Sequence, residues 1–256
     1  MMKKLYKWDL ISYFNQLKWL FVSTLFLSLV SFIAKQFIDD NFIWTFLYQP
    51  VYIMSIVGII ALSVYSYFSI FQRYYQTMFK DEAYFTHTLP LSKTRILISK
   101  MLSAFTLLII LIMIVGGLLI LLEIINIKQF WDLRLIDQNL FNISLFSVLS
   151  AILMLFITIL VIYAAISFGF SYNKREWLYT FLYFIIYYMV NQFLSLLSMG
   201  INLIFNPNLF DSEPDQMFNS LIGIIIVQLI FSIGLGVLNF FISRLLITKK
   251  LNLKNG

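Results

Sequence analysis

Residues 73–100 read RYYQTMFKDEAYFTHTLPLSKTRILISK and form the longest polar run of the chain. Seven of these 28 residues are charged, whereas the segments on both sides are long and apolar. Pro90 predicts the end of a helix that arrives from the N-terminal side, because proline has no amide donor and clashes with the preceding turn. Ser92 can cap a new helix over 93–98, which continues into the next apolar segment. We therefore predict a charged elbow at 73–100, turning at 88–90 between two membrane spans and offering a docking surface.

The composition is that of an integral membrane protein. Of the 256 residues, 61% are hydrophobic and 12% are charged, whereas soluble domains contain about 25% charged residues. The chain has no cysteine and a single histidine, His87, which excludes disulfides and argues against a thiolate or histidine metal centre. Phosphate-loop, GxSxG and HExxH motifs are absent, so we expect no enzymatic, metal or cofactor site in this chain.

Six apolar segments predict an all-α membrane protein with six transmembrane helices, because each is long enough to cross a bilayer. The fourth segment is the longest, so we expect it to tilt or to project from the membrane. Together the segments form one transmembrane domain, 1–256. They run over about 19–37, 50–71, 101–122, 141–170, 177–197 and 218–242, and are joined by 38–41, the elbow, 123–140, 171–176 and 198–217.

Residues 3–18 precede the first apolar segment and carry one apolar helix face. Tyr6, Leu10, Tyr13 and Leu17 recur at spacings of four, three and four residues. Lysines flank this face, so we predict a helix that lies in the membrane interface with its lysines near anionic headgroups. The alternative is that this segment extends the first span.

The basic residues predict the orientation. With both termini in the cytoplasm, 15 of the 18 lysines and arginines lie on the inner side, and only Lys35, Lys128 and Arg134 lie outside. Eight of the 12 acidic residues fall on the outer side. This split follows the positive-inside rule and favours six spans with both ends inside.

The segment 198–217 contains Gly200, Asn202, two prolines and three acidic residues, yet its first half is apolar. It is too short to cross the membrane and return. We interpret it as a re-entrant or interfacial element on the outer face, which needs protein or water to satisfy its backbone. An end of the fifth span followed by a loop explains it equally well.

Polar side chains inside the spans are few, and we find no acid or base at mid-membrane depth. The amides Asn191, Gln192, Gln228 and Asn239 predict hydrogen bonds between helices. Packing is the default role of the tyrosines in the fifth span, with their buried hydroxyls paired. The alternative is a lining for an amphipathic substrate path, with Tyr183, Tyr187, Tyr188 and Asn191 as its candidate residues. Glycines at 116, 117, 234 and 236 predict close helix approach or a kink.

Residues 81–90, DEAYFTHTLP, resemble the DEGYLTFTLP-type segment of ABC-2-type permease subunits from Gram-positive bacteria. In that family a basic run of the form S-K/R-x-x-I/L-L-x-S-K follows, and here it reads LSKTRILISK. Ala83, Phe85 and His87 depart from the pattern and are tolerable in an interfacial helix. The similarity covers about 20 residues, and the predicted six-span topology agrees with the family over the whole length.

The resemblance implies the transmembrane subunit of an ATP-driven exporter in a bacterial cytoplasmic membrane. ATP and magnesium would bind to a separate ABC ATP-binding subunit, and a second permease, identical or related, would complete the transport path. The cytosolic coupling helix would be 92–98, preceded by a cytosolic extension. The residues that would couple to the ATPase are Asp81, Glu82, Tyr84, Pro90, Ser92, Lys93, Arg95, Ile96 and Leu97.

The cargo implied by related small exporters is an amphipathic peptide, such as a phenol-soluble modulin or a lantibiotic. Because the spans lack a charged residue at mid-depth, apolar and aromatic contacts would hold it. A lipid, drug or glycan cargo is the alternative, and so is a membrane scaffold or sensor that does not transport. We expect membrane lipids, and no nucleic acid, among the other partners.

Overall fold

The structure is a computed structural model that describes residues 1–37, 42–80, 82–172, 175–205 and 214–249. All regular secondary structure in these ranges is helical. The helices are α1 Met2–Gln36, α2 Phe42–Phe79, α3 Ala83–Thr88, α4 Lys93–Leu121, α5 Ile127–Ile136, α6 Gln138–Gly169, α7 Glu176–Phe205 and α8 Pro214–Lys249.

Six of the described helices are long and apolar enough to cross a membrane: α1, α2, α4, α6, α7 and α8. The predicted all-α class and the predicted number of long apolar segments are therefore confirmed. Helices are the natural solution for such segments, because a helix pairs its backbone groups internally where no water is available. The chain has the architecture of a multi-pass membrane protein.

The first helix shows that residues 3–18 do not form a separate element. α1 runs for 35 residues without a break, or about 52 Å at 1.5 Å per residue. Tyr13 and Leu17, which belong to the predicted apolar face, are 1% and 6% exposed. This face packs inside the protein and is not free to lie on lipid, so the structure has the alternative arrangement, an extension of the first span.

The connections also differ from the sequence-based boundaries. Pro50 lies inside α2 and does not begin it, which membrane helices tolerate when neighbouring groups satisfy the backbone. The loop 123–140 contains the ten-residue α5. In the predicted re-entrant element, 198–205 continues α7, whereas 206–213 and the turn 38–41 lie outside the described residues.

The chain divides into two compact units. Unit 1 comprises Met1–Thr77 and Ile98–Ile127, and unit 2 comprises Met78–Leu97 and Lys128–Gly256. Unit 1 therefore holds α1, most of α2 and most of α4. Unit 2 holds α3, the start of α4, and the helices from α5 onward.

Within unit 1, α1 runs antiparallel to α2 and parallel to α4. The contacts with α2 occur in opposite order along the two chains, and join Asp9 to Arg73, Gln16 to Ser69, and Thr24 to the position of Gly58. Those with α4 and the turn that follows it occur in the same order, from Met2 with Ser99 to Lys35 with Glu123. Successive long helices therefore alternate in direction, as consecutive membrane spans must.

Within unit 2, α6 packs against α7 and α8, and its C-terminal half forms the core. Buried residues are almost continuous from Ile157 to Phe170. Two glycines bring the helices close together. A methyl group at Gly236 would lie 3.3 Å from Ile157 of α6, and one at Gly169 would meet the backbone of α7.

Candidate functional site: the elbow and a buried ion cluster

The first residues of the elbow belong to α2, which ends at Phe79. A turn follows, in which the amide of Ala83 donates to the carbonyl of Lys80 at 3.0 Å. The six-residue α3 then runs to Thr88. The expected single helix reaching Pro90 is therefore wrong: the arriving helix stops eleven residues earlier, and α3 is a separate element. Asp81, a predicted coupling residue in this turn, lies outside the described residues.

The second half of the elbow agrees with the sequence prediction. Leu89 is extended, with φ −61° and ψ 138°, as expected for a residue that precedes proline. The Ser92 hydroxyl accepts a hydrogen bond from the amide of Arg95 at 3.4 Å, and the Ser92 carbonyl accepts one from Ile96 at 3.1 Å. Ser92 is therefore the predicted cap, and the predicted helix 93–98 is the first part of α4.

Two neighbouring aromatic side chains are strongly exposed on the elbow. Tyr84 is 69% exposed and Phe85 is 73% exposed. Their ring centroids lie 6.1 Å apart, and the rings meet edge to face. Among the predicted coupling residues, Pro90, Ser92 and Arg95 are also exposed, whereas Glu82 and Lys93 are half-buried.

Two predicted coupling residues do not lie on this surface. Ile96 is 1% exposed and Leu97 is 0% exposed, so the expectation that they offer apolar area to a partner is wrong in this structure. The sequence carried a signal for this burial. Leu97 is followed by apolar residues at 101, 104 and 108, which repeat at helical spacing and are all buried. An aspartate at either position would disrupt the packing of α4 and would not test docking.

Three charged side chains form a buried ion cluster in unit 1. The Lys100 ammonium lies 3.0 Å and 3.2 Å from the two carboxylate oxygens of Asp9. The Arg73 guanidinium donates through Nε to Oδ1 of Asp9 at 3.0 Å. Asp9 is 1% exposed and Lys100 is 2% exposed. Charges removed from water to this extent are costly unless they are paired, so the three residues are held as a set.

The ion cluster was not predicted from the sequence, although Asp9 carried a signal. It precedes Tyr13 by four residues and Leu17 by eight, which places its carboxylate on the apolar face of α1. An acid on such a face needs a partner when that face is buried. Its partners lie 64 and 91 residues away, and the sequence does not indicate which cations they are.

The ion cluster joins both arms of the elbow to α1. Arg73 lies six residues before the end of α2, and Lys100 lies seven residues after the start of α4. Further bonds between α1 and α4 link the Tyr6 hydroxyl to Thr106 at 2.9 Å and the Ser99 hydroxyl to the carbonyl of Met2 at 3.3 Å. The N-terminal half of α1 therefore braces the two helices that lead into and out of the elbow.

The predicted pathway residues on α7 do not form one surface. Tyr183, Tyr187 and Asn191 are spaced by four residues and are all half-buried, whereas Tyr188 is 62% exposed. The Tyr183 hydroxyl donates to Oδ1 of Asn239 on α8 at 2.5 Å. This bond supports a packing role for Tyr183.

The amide predictions are met for two of the four residues. Besides Asn239, Gln228 accepts a hydrogen bond from Ser198 of α7 at 3.3 Å. Asn191 and Gln192 have no interhelical hydrogen bond to the described residues. Of the predicted glycine contacts, Gly236 lies close to α6, but Gly116, Gly117 and Gly234 have open space around them.

Comparison of the chain with protein-family models, with curated proteins and with solved structures gives no match.

Proposed function

We propose that the chain is the transmembrane permease subunit of an ABC-type exporter. The observation that carries the proposal is the elbow, in which the exposed Tyr84 and Phe85 stand on a short helix between two long ones. A soluble ATP-binding subunit, with ATP and magnesium bound to it, would dock on this aromatic pair. Aromatic side chains are frequent hot spots of protein interfaces, because they bury a large area with little loss of conformational freedom.

The ion cluster gives this proposal a route for transmitting motion. A partner that displaces the elbow pulls on α2 and α4 together, because both helices are tied to Asp9. Breaking one of these buried ion pairs is costly, at about 3–5 kcal/mol. The three helices should therefore shift as one body, carrying the movement of the partner into the membrane.

In this proposal the elbow and both termini face the cytoplasm of a bacterium. The support is the charge distribution, with 15 of 18 basic residues on that side. Arg95, which is exposed in the first turn of α4, would meet acidic groups of the partner. Such rim charges affect the rate of association more than the final affinity.

The cargo that fits best is an amphipathic peptide, with a second permease completing the path. α7 supports the proposal of such a cargo and of a second permease, because most of its side chains are exposed in the single chain and are available for contact. Its surface combines apolar residues with Tyr188 and the amide of Gln192. A polar side chain facing only lipid is unfavourable, so a partner chain or an amphipathic cargo would be a better neighbour.

The test is affinity purification of the tagged chain from membranes of the bacterium that makes it, with detection of a P-loop ATPase that co-purifies. Alanine at Tyr84 and Phe85 should weaken ATPase retention by about 30-fold or more, as for a central hot spot of about 2 kcal/mol. Phe46→Ala is the matched control, because Phe46 is an equally exposed aromatic residue at 71% but lies at the opposite end of α2. Full retention by the double alanine variant would refute docking at the elbow.

A further inference from the structure

A groove of about 280 Å³ opens on the surface of unit 1 between α1 and α4. Its floor is formed by Leu17, Leu62 and Leu107, which are all buried. The remaining walls are apolar, with two exceptions: Asn15 and Lys18 are the polar side chains that line it, and both are exposed. The groove is therefore apolar along its length and has the amide of Asn15 and the ammonium of Lys18 at its rim.

The position of Lys18 along α1 places this rim at a membrane surface. Lys18 precedes Lys35, which pairs with Glu123, by 17 residues, or about 26 Å at 1.5 Å per residue. This distance is close to the hydrocarbon thickness of a bilayer, about 30 Å. Trp19 is 75% exposed, and the Lys18 ammonium lies 5.9 Å from its ring centroid. A neighbouring tryptophan and lysine are typical of the headgroup level.

We propose that this groove binds an anionic phospholipid, with one acyl chain along its apolar floor and the phosphate at Lys18. Charge complementarity selects the headgroup, because no acidic side chain among the described residues pairs with Lys18. Asn15 can donate a further hydrogen bond to a phosphate oxygen. The site is independent of the proposed transport function, and lies on the two helices that the ion cluster holds together.

The size of the groove favours an acyl chain over an α-helix as its occupant. With a methylene group about as large as a water molecule, at about 30 Å³, the volume accommodates roughly nine carbons. An α-helix with its side chains is about 10–12 Å wide and would not enter. The rest of the lipid would stay in the bilayer, so the site holds a lipid at a fixed position without extracting it.

The experiment uses the full chain purified in a neutral detergent and measures bound lipid by native mass spectrometry. Phosphatidylglycerol should bind at several-fold lower concentration than phosphatidylcholine. Lys18→Gln should reduce phosphatidylglycerol binding about five-fold, as expected for one basic residue near an anionic surface, and leave phosphatidylcholine binding unchanged. Lys7→Gln is the matched control, because Lys7 is an exposed lysine on the same helix, eleven residues from Lys18.

A second variant tests the acyl chain. Val22 lines the groove and is 54% exposed, so Val22→Trp can fill the groove without displacing buried residues. It should weaken the binding of both lipids by a similar factor. Thermal unfolding in lipid-free detergent should match the parent chain for every variant, which separates lost binding from lost folding.

Several outcomes would overturn the proposal. Equal binding of the two lipids would remove the headgroup preference, and equal losses in Lys7→Gln and Lys18→Gln would indicate diffuse surface charge. Competition by inorganic phosphate alone would show a free anion site. Because the chain has no native cysteine, efficient cross-linking of two Val22→Cys chains in vesicles would assign the groove to a second copy.

Discussion

Asp9 supplies a carboxylate to the buried ion cluster in unit 1, where it faces Lys100 and Arg73. Replacing it removes a carboxylate that pairs with Lys100, a lysine that is only 2% exposed. Arg73, with 16% exposure of its side chain, can reach water more easily. The stability of the cluster therefore depends on Asp9 more than on either cation.

Asp9→Asn should lower the free energy of unfolding by about 3–5 kcal/mol, because it removes one side of a buried ion pair. Thermal unfolding of the purified chain in detergent gives the measurement. Asp132→Asn is the control, since Asp132 is exposed and should change stability by less than about 0.5 kcal/mol. Adding Lys100→Met should recover part of the loss, and a purely additive double variant would mean that the two side chains do not interact.

Tyr183 is a second residue whose role can be isolated. Tyr183→Phe removes the hydroxyl that bonds to Asn239 and should cost about 0.6–2 kcal/mol, the range for hydrogen bonds between membrane helices. Tyr188→Phe, on the exposed side of the same helix, should cost nothing measurable. Comparable losses in both variants would show that the bond to α8 does not stabilise the chain.

At the scale of elements, the α6–α7 connection depends on Gly169. A methyl group there would lie 2.6 Å from the carbonyl of Glu176 and 2.9 Å from the amide of Thr180, both backbone atoms of α7. Backbone cannot turn aside as a side chain can, so the two helices must separate. The exposed Arg175, with φ 59°, lies in the same tight connection.

Gly169→Ala should therefore destabilise the chain by about 1–3 kcal/mol, the usual cost of overpacking. Gly116→Ala is the contrasting change, because nothing lies within 4 Å of a methyl group at that position. At that position the substitution should stabilise the chain by up to about 1 kcal/mol, because alanine has a higher helix propensity than glycine. A lower unfolding temperature for Gly169→Ala and a higher one for Gly116→Ala would support this assignment. An unchanged unfolding temperature for Gly169→Ala would contradict the close approach of α6 and α7.

The two helices of the elbow, α3 and the start of α4, carry apolar residues that differ in role. Ile96 and Leu97 are apolar, as a docking anchor would be, but they lie on the buried face of α4. Tyr84 and Phe85 stand on a helix of six residues, which is too short to bury both of its sides. Exposure, and not apolar character alone, therefore selects the aromatic pair as the candidate contact.

At the scale of the whole molecule, the proposed orientation places the elbow and the helix α5 on opposite sides of the membrane. Single cysteines can report this directly, because the chain contains none. Asp132→Cys should react with an impermeant maleimide in intact cells. Thr88, which is also exposed in the structure, should as Thr88→Cys react only after permeabilisation. Labelling of Thr88→Cys in intact cells would reverse or refute the proposed topology.

Much of this architecture could be predicted from the order of residues alone. Six apolar segments separated by polar ones specify six long helices, because hydropathy is a property of each segment and requires no knowledge of its neighbours. Local chemistry also placed the cap at Ser92. The boundaries were less accurate. Neither Lys18 nor Trp19 stops a helix, so α1 continues through the point where amphipathic patterning suggested the end of a separate element.

The tertiary structure alone decided which faces of these helices meet. A membrane helix that is apolar all around has no preferred side in its sequence, so the exposure of Tyr188 next to the half-buried Tyr187 could not be inferred from hydropathy. The pairing of Asp9 with Lys100 joins residues that are 91 positions apart. It exists because α1 and α4 run parallel in contact, an arrangement that depends on packing between helices and not on the pattern within either one.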